Sequence, residues 1–444
     1  MKNPFSLNCA LSRSRFAQVF SLLMVCCVAL PNSALAQSSD DADVRYTVVA
    51  GDTLERITRQ YLRGPRLTAR LQRLNRVADP RRLRIGRQLR IPKAFLRAKP
   101  VILRVRNFSG PVAIDGRNAT VGAQLAEGDL VQTGARGFVT FSASGAGRIT
   151  LPSNSRARLL RASRYELYDL LDVDFEVLEG RSELSAPKLR DQERFRTRTP
   201  SAVTAVRGTA FRVSFDPASG RATTEVTEGD VAVANEESVQ LAPAGFGVSA
   251  LPAAIGPPEA LLAAPEMRDP GAIQTEATLQ FELVPMPGAI GYRVQLARDA
   301  GFLDMIAETV TQDTMAQFDS LENARYFVRS RAIAENGLEG LSETASFRRK
   351  RLAAEASAGE SPLADGFLFT WAAEGEGTTY FAFQLWDKAR PDLLVVDEVG
   401  LKTSKFTITD LDPGRYAWRV AAVQIEAEGL LKVWGPPQEL LVSD

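Results

Sequence analysis

The sequence predicts a multidomain, mainly β protein: a small βααβ module, then a β-rich domain and two β-sandwiches. Three observations support this prediction. The chain has 444 residues, which is too long for one ordinary domain. After residue 100, short runs of β-branched and aromatic residues alternate with glycine-containing turns. The last third contains an internal repeat of about 90 residues, which is typical of tandem sandwich domains.

The composition is that of a globular protein and excludes several kinds of active site. About 45% of the residues are apolar and 24% are charged. There is no histidine, and the three cysteines are Cys9, Cys26 and Cys27. If the N-terminal segment is removed, the mature chain has no disulfide, no thiol nucleophile, no ordinary zinc site and no histidine-based triad.

Residues 1–36 predict a cleavable secretory signal. Basic residues precede the apolar run 19–30, which is too short to span a bilayer, and residues 34–36 read Ala-Leu-Ala. Acylation at Cys26 or Cys27 and an uncleaved anchor are the alternatives. No later run is apolar enough to span a membrane. We therefore expect export to the periplasm, without a transmembrane segment after cleavage.

Residues 37–44 form a polar linker, and residues 45–93 follow as the βααβ module. Residues 46–49 predict a strand, and Asp52 or Thr53 can cap the helix that follows. The apolar residues of two helices recur at helical spacing. They are Leu54, Ile57 and Tyr61, then Leu67, Leu71 and Leu74, with a return strand at Leu89 and Ile91 that ends at Pro92.

This module resembles the LysM domain from Tyr46 to Pro92, most clearly in its Gly51-Asp52-Thr53-Leu54 turn. LysM domains bind glycans that contain N-acetylglucosamine, mainly peptidoglycan and chitin, in a shallow groove between two loops. The resemblance implies hydrogen bonds from turn backbone groups to acetamido groups and apolar contact from two leucines. The implied glycan-binding residues are Gly51, Asp52, Thr53, Leu54, Asn75, Asp79 and Leu83, with Leu54 and Leu83 as the apolar contacts. A degenerate LysM fold that serves as a spacer is the alternative.

The same module is strongly basic. Between Arg45 and Lys99 there are 14 Arg and 2 Lys against three acidic residues, a net charge of +13. A solvated basic surface and attraction to an anionic envelope polymer both explain this charge. Nucleic acid is not expected as a partner of an exported protein.

Residues 101–250 predict a β-rich domain that resembles the FecR domain. The resemblance lies in residues 127–159 and in residues 199–215, followed by 226–233. It implies an extracytoplasmic β-domain. The regulatory role of FecR also needs a cytoplasmic segment and a membrane span. Neither is expected to remain after cleavage of the predicted signal peptide. Residues 162–171 are the one stretch here with any helical character. Gly208 is expected to permit a tight bend, although residues 207–209 could also form a contact site.

Residues 251–274 predict a proline- and alanine-rich linker, and two repeated units follow at 275–348 and 361–443. Residues 321–329 match residues 411–419 at an offset of 90. This match pairs Tyr326 with Tyr416, and Phe281 pairs with Trp371 at the same offset, whereas Gln295 pairs with Gln384 at an offset of 89. These units resemble fibronectin type III domains, and the repeated tyrosine resembles their tyrosine corner.

No catalytic constellation is apparent, so we predict that the protein is not an enzyme and uses no cofactor or metal. The lone S-x-x-K at residues 185–188 contains a proline that opposes the helix this motif needs. Asp169, Asp172 and Asp174 lack the spacing of an EF-hand, so a solvated acidic strand end is favoured over a calcium site.

The sequence therefore predicts a non-catalytic, cell-wall-associated periplasmic protein. Its LysM-like module would bind peptidoglycan, and its β-domains would present surfaces to other envelope proteins. The alternative function is a periplasmic sensor that acts through the FecR-like domain with a separate membrane signalling partner.

Overall fold

The computed structural model describes residues 43–206, 208–363, 365–427 and 429–443. The predicted signal peptide, Arg207 and most of the predicted linker 37–44 lie outside the described residues. Within these ranges, no helix has the length and apolar character needed to cross a membrane. The predicted fold class is confirmed, because the structure is mainly β with one small α/β module at its N-terminal end.

The N-terminal module has the predicted strand–helix–helix–strand order. Thr53 caps the first helix, because its Oγ1 accepts a hydrogen bond from the Arg56 N–H at 3.1 Å. The helices pack on the inner face of a two-stranded antiparallel sheet. The elements are β1 (Asp43–Thr47), α1 (Leu54–Tyr61), α2 (Leu67–Leu74) and β2 (Gln88–Pro92), followed by a 3-10 turn, Lys93–Phe95.

The next part of the chain is a closed β-barrel with one continuous apolar core. Alternating buried and exposed residues along its strands place that core inside. Its strands are β3 (Ala98–Pro100), β4 (Leu103–Ser109), β5 (Val112–Ile114), β6 (Arg117–Asn118), β7 (Gln124–Leu125), β8 (Leu130–Thr133), β9 (Phe138–Ala143), β10 (Gly147–Leu151), β11 (Arg156–Tyr165), β12 (Leu170–Ser185), β13 (Arg194–Arg198), β14 (Val203–Val206), β15 (Ala210–Asp216), β16 (Arg221–Glu228), β17 (Asp230–Ala234), β18 (Val239–Pro243), β19 (Phe246–Leu251), β20 (Ala254–Ile255) and β21 (Glu259–Ala260).

The barrel corrects two sequence-based expectations. Residues 162–171 are not helical, because they form the end of β11, a tight turn and the start of β12. Asp172 and Asp174 are not a solvated strand end, since both side chains are buried and paired with basic residues. Gly208 has φ +87°, as the predicted bend requires, and a Cβ there would lie 2.8 Å from the Lys188 Cα.

The first β-sandwich follows the barrel. Its two sheets have the orders β22-β25 and β24-β23-β26-β27, and Met267 from the expected linker 251–274 belongs to its buried core. That linker also contains β20 and β21, which pair with β19 of the barrel. The strands are β22 (Leu279–Glu282), β23 (Ala289–Ala297), β24 (Met305–Thr311), β25 (Met315–Phe318), β26 (Ala324–Ala334) and β27 (Glu343–Arg349).

The second β-sandwich repeats this arrangement. One sheet has the order β28-β29-β32, and the other has β31-β30-β33-β34 with β35 also pairing with β33. Its core is aromatic and contains Phe369, Trp371, Phe383 and Trp418. The strands are β28 (Ala353–Glu360), β29 (Gly366–Glu374), β30 (Tyr380–Asp387), β31 (Leu394–Leu401), β32 (Lys405–Thr409), β33 (Gly414–Glu426), β34 (Gly429–Trp434) and β35 (Gln438–Val442).

Both sandwiches contain the predicted tyrosine corner. The Tyr326 hydroxyl donates to the Glu322 carbonyl at 3.0 Å, and the Tyr416 hydroxyl donates to the Asp412 carbonyl at 2.9 Å. The Phe281 and Trp371 side chains are buried at equivalent positions in the two cores. The repeat found in the sequence is therefore a repeat of three-dimensional structure.

A polar side-chain triad is also repeated. In the first sandwich, Arg329 donates to Gln295 Oε1, and the Gln295 amide donates to Glu308 at 2.9 Å. In the second, Arg419 donates to Gln384 Oε1, and the Gln384 amide donates to Asp397 at 3.1 Å. Each triad lies across three neighbouring strands, because its members face one another in the strand register.

The barrel packs closely against the N-terminal module. The turn between β11 and β12 reaches the outer edge of β1, where the Thr47 N–H donates to the Tyr168 hydroxyl at 3.3 Å. The Tyr168 ring stacks on Tyr46 with 5.9 Å between centroids, and the Arg45 N–H donates to Gln192 Oε1 at 2.6 Å. These contacts cover the exposed edge of a two-stranded sheet, which would otherwise be open to pairing with another chain.

Candidate functional site

Two loops of the N-terminal module lie side by side at one end of its sheet. The first connects β1 to α1, and the second runs from the end of α2 to β2. The Leu54 N–H donates to the Pro80 carbonyl at 2.9 Å, which ties the start of α1 to the second loop. The Val48 backbone exchanges hydrogen bonds of 2.9 Å with Gly86 and Arg87. The two loops therefore form one rigid surface.

The first loop is shaped by Gly51, Asp52 and Thr53. Gly51 has φ +85°, a conformation that favours glycine. Asp52 Oδ2 accepts hydrogen bonds from the Tyr46 hydroxyl at 2.7 Å and from the Val49 N–H at 2.8 Å. Burial raises the pKa of Tyr46, and its hydrogen bond to Asp52 raises it further. Asp52 and Thr53 thus fix the loop through their side chains, while Gly51 stays exposed.

Leu54 and Asn75 have structural roles that differ from the expected ones. The Leu54 side chain is 0% exposed, so it cannot supply the expected apolar contact to a ligand. The Asn75 amide nitrogen donates to the carbonyls of Leu71 and Arg90 at 3.0 and 2.8 Å, and Asn75 Oδ1 accepts from the Arg90 N–H at 2.7 Å. Both residues position the loops, because their side chains are engaged inside the module.

Asp79 and Leu83 lie in the second loop. Asp79 is exposed, and its Oδ1 accepts a hydrogen bond from the Arg81 N–H at 2.9 Å. Leu83 is half-buried and packs against the core of the module. Of the seven sequence-predicted residues, two are exposed and one is fully buried, and the other four are half-buried. The exposed ones are Gly51 and Asp79, the buried one is Leu54, and the half-buried ones are Asp52, Thr53, Asn75 and Leu83.

Two apolar residues at the loop tips were missed by the sequence analysis. Val49 is 55% exposed in the first loop, and Ile85 is 67% exposed in the second. The backbone hydrogen bonds that join Val48 to Gly86 and to Arg87 bring these tips together. The available signal was an apolar residue one or two positions before a turn glycine in each loop.

Family comparisons match two parts of the chain. Residues 46–92 match the LysM domain model, and residues 129–232 match the FecR protein model. The chain contains a LysM domain and a FecR domain. The two loops described above are the strand–helix and helix–strand loops of the LysM domain, and the barrel contains the FecR domain. LysM domains generally bind N-acetylglucosamine-containing glycans. LysM and FecR domains are binding or regulatory types and are typical of envelope proteins.

Comparison with solved structures gives only weak similarity. A candidate anti-sigma factor from Parabacteroides distasonis is 16% identical, with 30% of this chain and 59% of that chain covered and a TM-score of 0.25. A two-domain fibronectin type III segment of chicken tenascin is 13% identical, with coverages of 40% and 98% and a TM-score of 0.20. The fibronectin(III)-like modules of CbhA from Clostridium thermocellum are 9% identical, with coverages of 40% and 94% and a TM-score of 0.21. No curated protein matches the sequence.

The surface of the LysM domain is strongly basic beside the second loop. Arg81, Arg82 and Arg84 are exposed. Within the described ranges, no carboxylate lies within 4.0 Å of the guanidinium nitrogens of any of the three. Their guanidinium groups therefore face solvent next to the loop tips, where they can interact with an anionic ligand.

The groups that the two loops expose are suited to binding a ligand. They offer turn backbone groups, two exposed apolar tips and a cationic border. In the part of the chain that the structure describes, no group of three or more His, Cys, Asp or Glu side chains is arranged to hold a metal ion. Ser185, the serine of the S-x-x-K sequence, is the last residue of β12 and not the start of a helix.

Proposed function

We propose that this protein binds peptidoglycan through the two loops of its LysM domain and holds its FecR domain and β-sandwiches at the cell wall. The observation that supports this most directly is the pair of rigid loops with exposed tips at Val49 and Ile85. The FecR domain covers the outer edge of β1, and these tips stay exposed. In this proposal the protein is non-catalytic and acts in the periplasm.

Peptidoglycan suits both features of this surface. Its acetamido groups can exchange hydrogen bonds with turn backbone groups, and their methyl groups can contact Val49 and Ile85. Its peptide carboxylates can interact with Arg81, Arg82 and Arg84. Groove recognition and charge attraction therefore both contribute to binding, but only the charge contribution weakens steeply with salt.

Co-sedimentation of the mature protein with purified sacculi over a salt series tests this function. We expect substantial binding at 0.5 M NaCl and displacement by soluble oligomers of N-acetylglucosamine. Complete release at high salt, with no competition by the neutral oligomers, would show that charge alone holds the protein to the wall. Absence of binding at every salt concentration would contradict the function itself.

The match of residues 129–232 to the FecR model favours one second candidate, a sensor role. In that case the FecR domain would act on a separate membrane signalling protein. We expect such a partner to co-purify with the full-length protein after crosslinking in cells. A transcriptional response to deletion that is restored by a LysM-defective variant would support this role over wall attachment.

A further inference from the structure

Two cavities lie between the barrel and the first sandwich, and they differ in charge. The larger has a volume of about 760 Å³ and is lined by three basic and three acidic residues. The smaller has a volume of about 440 Å³ and is lined by four arginines and a single carboxylate. Those residues are Arg148, Arg212, Arg329, Arg331 and Glu183. The smaller cavity, which we call the arginine cavity, therefore carries a lining charge of +3.

The barrel forms one wall of the arginine cavity. Thr150, Glu183 and Arg212 face one another in the register of β10, β12 and β15. Arg212 is buried and donates to the backbone carbonyls of Glu339 and Gly340 at 2.7 and 2.8 Å. The sandwich backbone thus holds the Arg212 guanidinium in place.

The first sandwich forms the opposite wall, and its arginines are also held. The Arg329 guanidinium lies 4.1 Å above the centre of the Phe302 ring. Arg331 donates through Nε to the Ser342 hydroxyl at 2.8 Å and is almost fully buried. The orientations of these two side chains are fixed by protein contacts, so little conformational entropy would be lost when a ligand binds.

Carboxylates offset only part of the positive charge of this lining, since Arg331 pairs with Glu339 at 3.4 Å and Arg212 pairs with Glu225 at 3.3 Å. Glu183 is shared between Arg329 at 3.0 Å and Arg331 at 2.8 Å. Burial lowers the pKa of Arg329 to about 9, and the nearby Arg331 contributes to the lowering. Burial and Arg331 likewise lower the pKa of Arg212. An anion in the cavity would therefore stabilise the charged forms of Arg329 and Arg212.

Arg148 completes the lining of the arginine cavity. It is half-buried on β10, and among the described residues its side chain makes no hydrogen bond or ion pair. A purely structural ion-pair interface would not require this arginine. Its guanidinium is therefore available to bind a ligand in the cavity.

We propose that the arginine cavity binds a small oxyanion with two negative charges, such as phosphate, sulfate or a short dicarboxylate. Arg148 supplies the accessible guanidinium group, and Arg329, with 13% of its side chain exposed, supplies a second one in the cavity wall. Guanidinium groups match oxyanions through paired N–H donors. The volume is several times the roughly 30 Å³ that a water molecule occupies, so such an anion fits with part of its hydration. Because both domains line the cavity, the anion would link the barrel to the first sandwich.

Thermal unfolding and calorimetric titration of the whole mature chain test this proposal. Phosphate, sulfate and succinate are compared with chloride at pH 7 and constant ionic strength. We expect a saturable rise in the unfolding temperature with at least one dianion, because a ligand that binds the folded state stabilises it. The anion that binds most tightly identifies the class, tetrahedral or dicarboxylate. The same rise with chloride at equal ionic strength would overturn the proposal.

Variants locate the site. Arg148→Gln should weaken anion binding about tenfold or more, since it removes a charged donor without breaking a protein contact. Arg158→Gln is the matched control, because Arg158 is a half-buried barrel arginine that lines neither cavity. Leu341→Glu adds a competing carboxylate at a lining position that is 38% exposed and should abolish binding in a folded protein. Unchanged binding in Arg148→Gln and Leu341→Glu would refute the site.

Discussion

Lys93 Nζ lies 3.2 Å from Asp172 Oδ2, and these side chains are only 5% and 0% exposed where the LysM domain meets the barrel. The Lys93 ammonium also lies 5.6 Å from the centre of the Tyr165 ring. The pair links the 3-10 turn after β2 to the start of β12. The two domains are therefore joined by a desolvated ion pair as well as by apolar contacts.

Replacing Asp172 by Asn should destabilise the protein by about 3 kcal/mol, because it removes the buried carboxylate that pairs with both Lys93 and Arg161. Urea denaturation of the mature chain measures this free energy of unfolding. The matched control is Glu179→Gln, which removes an exposed ion pair with Arg156 and should cost under about 1 kcal/mol. Equal effects of the two substitutions would contradict a special role for the buried pair.

The interface between the barrel and the first sandwich should lose stability in acid. Burial alone would raise the pKa of Glu183, but Arg329 and Arg331 lower it far below its ordinary value of 4.5. Burial would likewise raise the pKa of Glu339, which Arg181 and Arg293 hold well below that value. Because the folded-state pKa values are lower than the unfolded ones, this stabilisation is complete above about pH 4.5 and declines as the pH falls further.

Denaturation measured from pH 7 to pH 3 checks this pH dependence. We expect a steep loss of the free energy of unfolding below pH 4.5 and a smaller slope in Glu339→Gln, which should already be destabilised at pH 7. Glu398→Gln, at an exposed position on β31, should keep the slope of the natural chain. An identical slope in Glu339→Gln would argue against the role of this carboxylate.

The glycan-binding proposal predicts a strong effect at the tip of the second loop. Ile85→Asp should reduce binding to sacculi at least about tenfold, since it removes an apolar contact and adds a negative charge near the ligand carboxylates. Val399→Asp is the control, because Val399 in the second sandwich has the same 67% exposure as Ile85. Comparable loss in both variants would indicate a general effect of surface charge.

The basic border of that site predicts a salt-dependent contribution. The triple variant Arg81→Gln, Arg82→Gln and Arg84→Gln should bind sacculi more weakly at low salt and approach the natural chain at high salt. Its control makes the same change in net charge on the barrel, at the exposed residues Arg104, Arg106 and Arg117. The position of the arginines is unimportant if both triple variants behave alike in sedimentation.

The tyrosine corners predict a stability effect confined to each sandwich. Tyr416→Phe removes a hydrogen bond to the Asp412 carbonyl and should lower the free energy of unfolding by about 1 kcal/mol. Tyr326→Phe removes the equivalent bond to the Glu322 carbonyl and should have a similar effect. Tyr380→Phe is the control, because Tyr380 is half-buried and its hydroxyl makes no hydrogen bond within the described chain. If urea denaturation shows no difference between the corner variants and this control, the tyrosine hydroxyl hydrogen bonds do not contribute to stability.

The elements set by local periodicity could be predicted from the sequence. Leu54, Ile57 and Tyr61 share one helical face, and Thr53 offers its hydroxyl to the first turn, so α1 was found at its true bounds. The tyrosine corners were predicted because each tyrosine bonds a carbonyl only four residues upstream. In these cases the interactions that decide the structure lie close together in the chain.

Features set by contacts between domains were not predictable in the same way. Asp172 is a carboxylate between two apolar residues, and only the fold brings Lys93 from 79 residues upstream to within 3.2 Å of it. At the candidate site, the LysM motif identifies the two loops in the sequence. It does not show in which direction their side chains point. The Leu54 side chain points into the core, and the exposed tips are instead Val49 and Ile85.

The repeated arginine–glutamine–acid triad has different surroundings in the two sandwiches. In the second sandwich, Gln384 and the rings of Trp386 and Trp434 hold Arg419 in place. In the first, the equivalent Arg329 reaches Glu183 of the barrel. The triad therefore orients an arginine at the same place on both sandwiches. Whether that arginine serves its own domain or a contact between domains depends on the residue that faces it, which is a carboxylate for Arg329 and aromatic rings for Arg419.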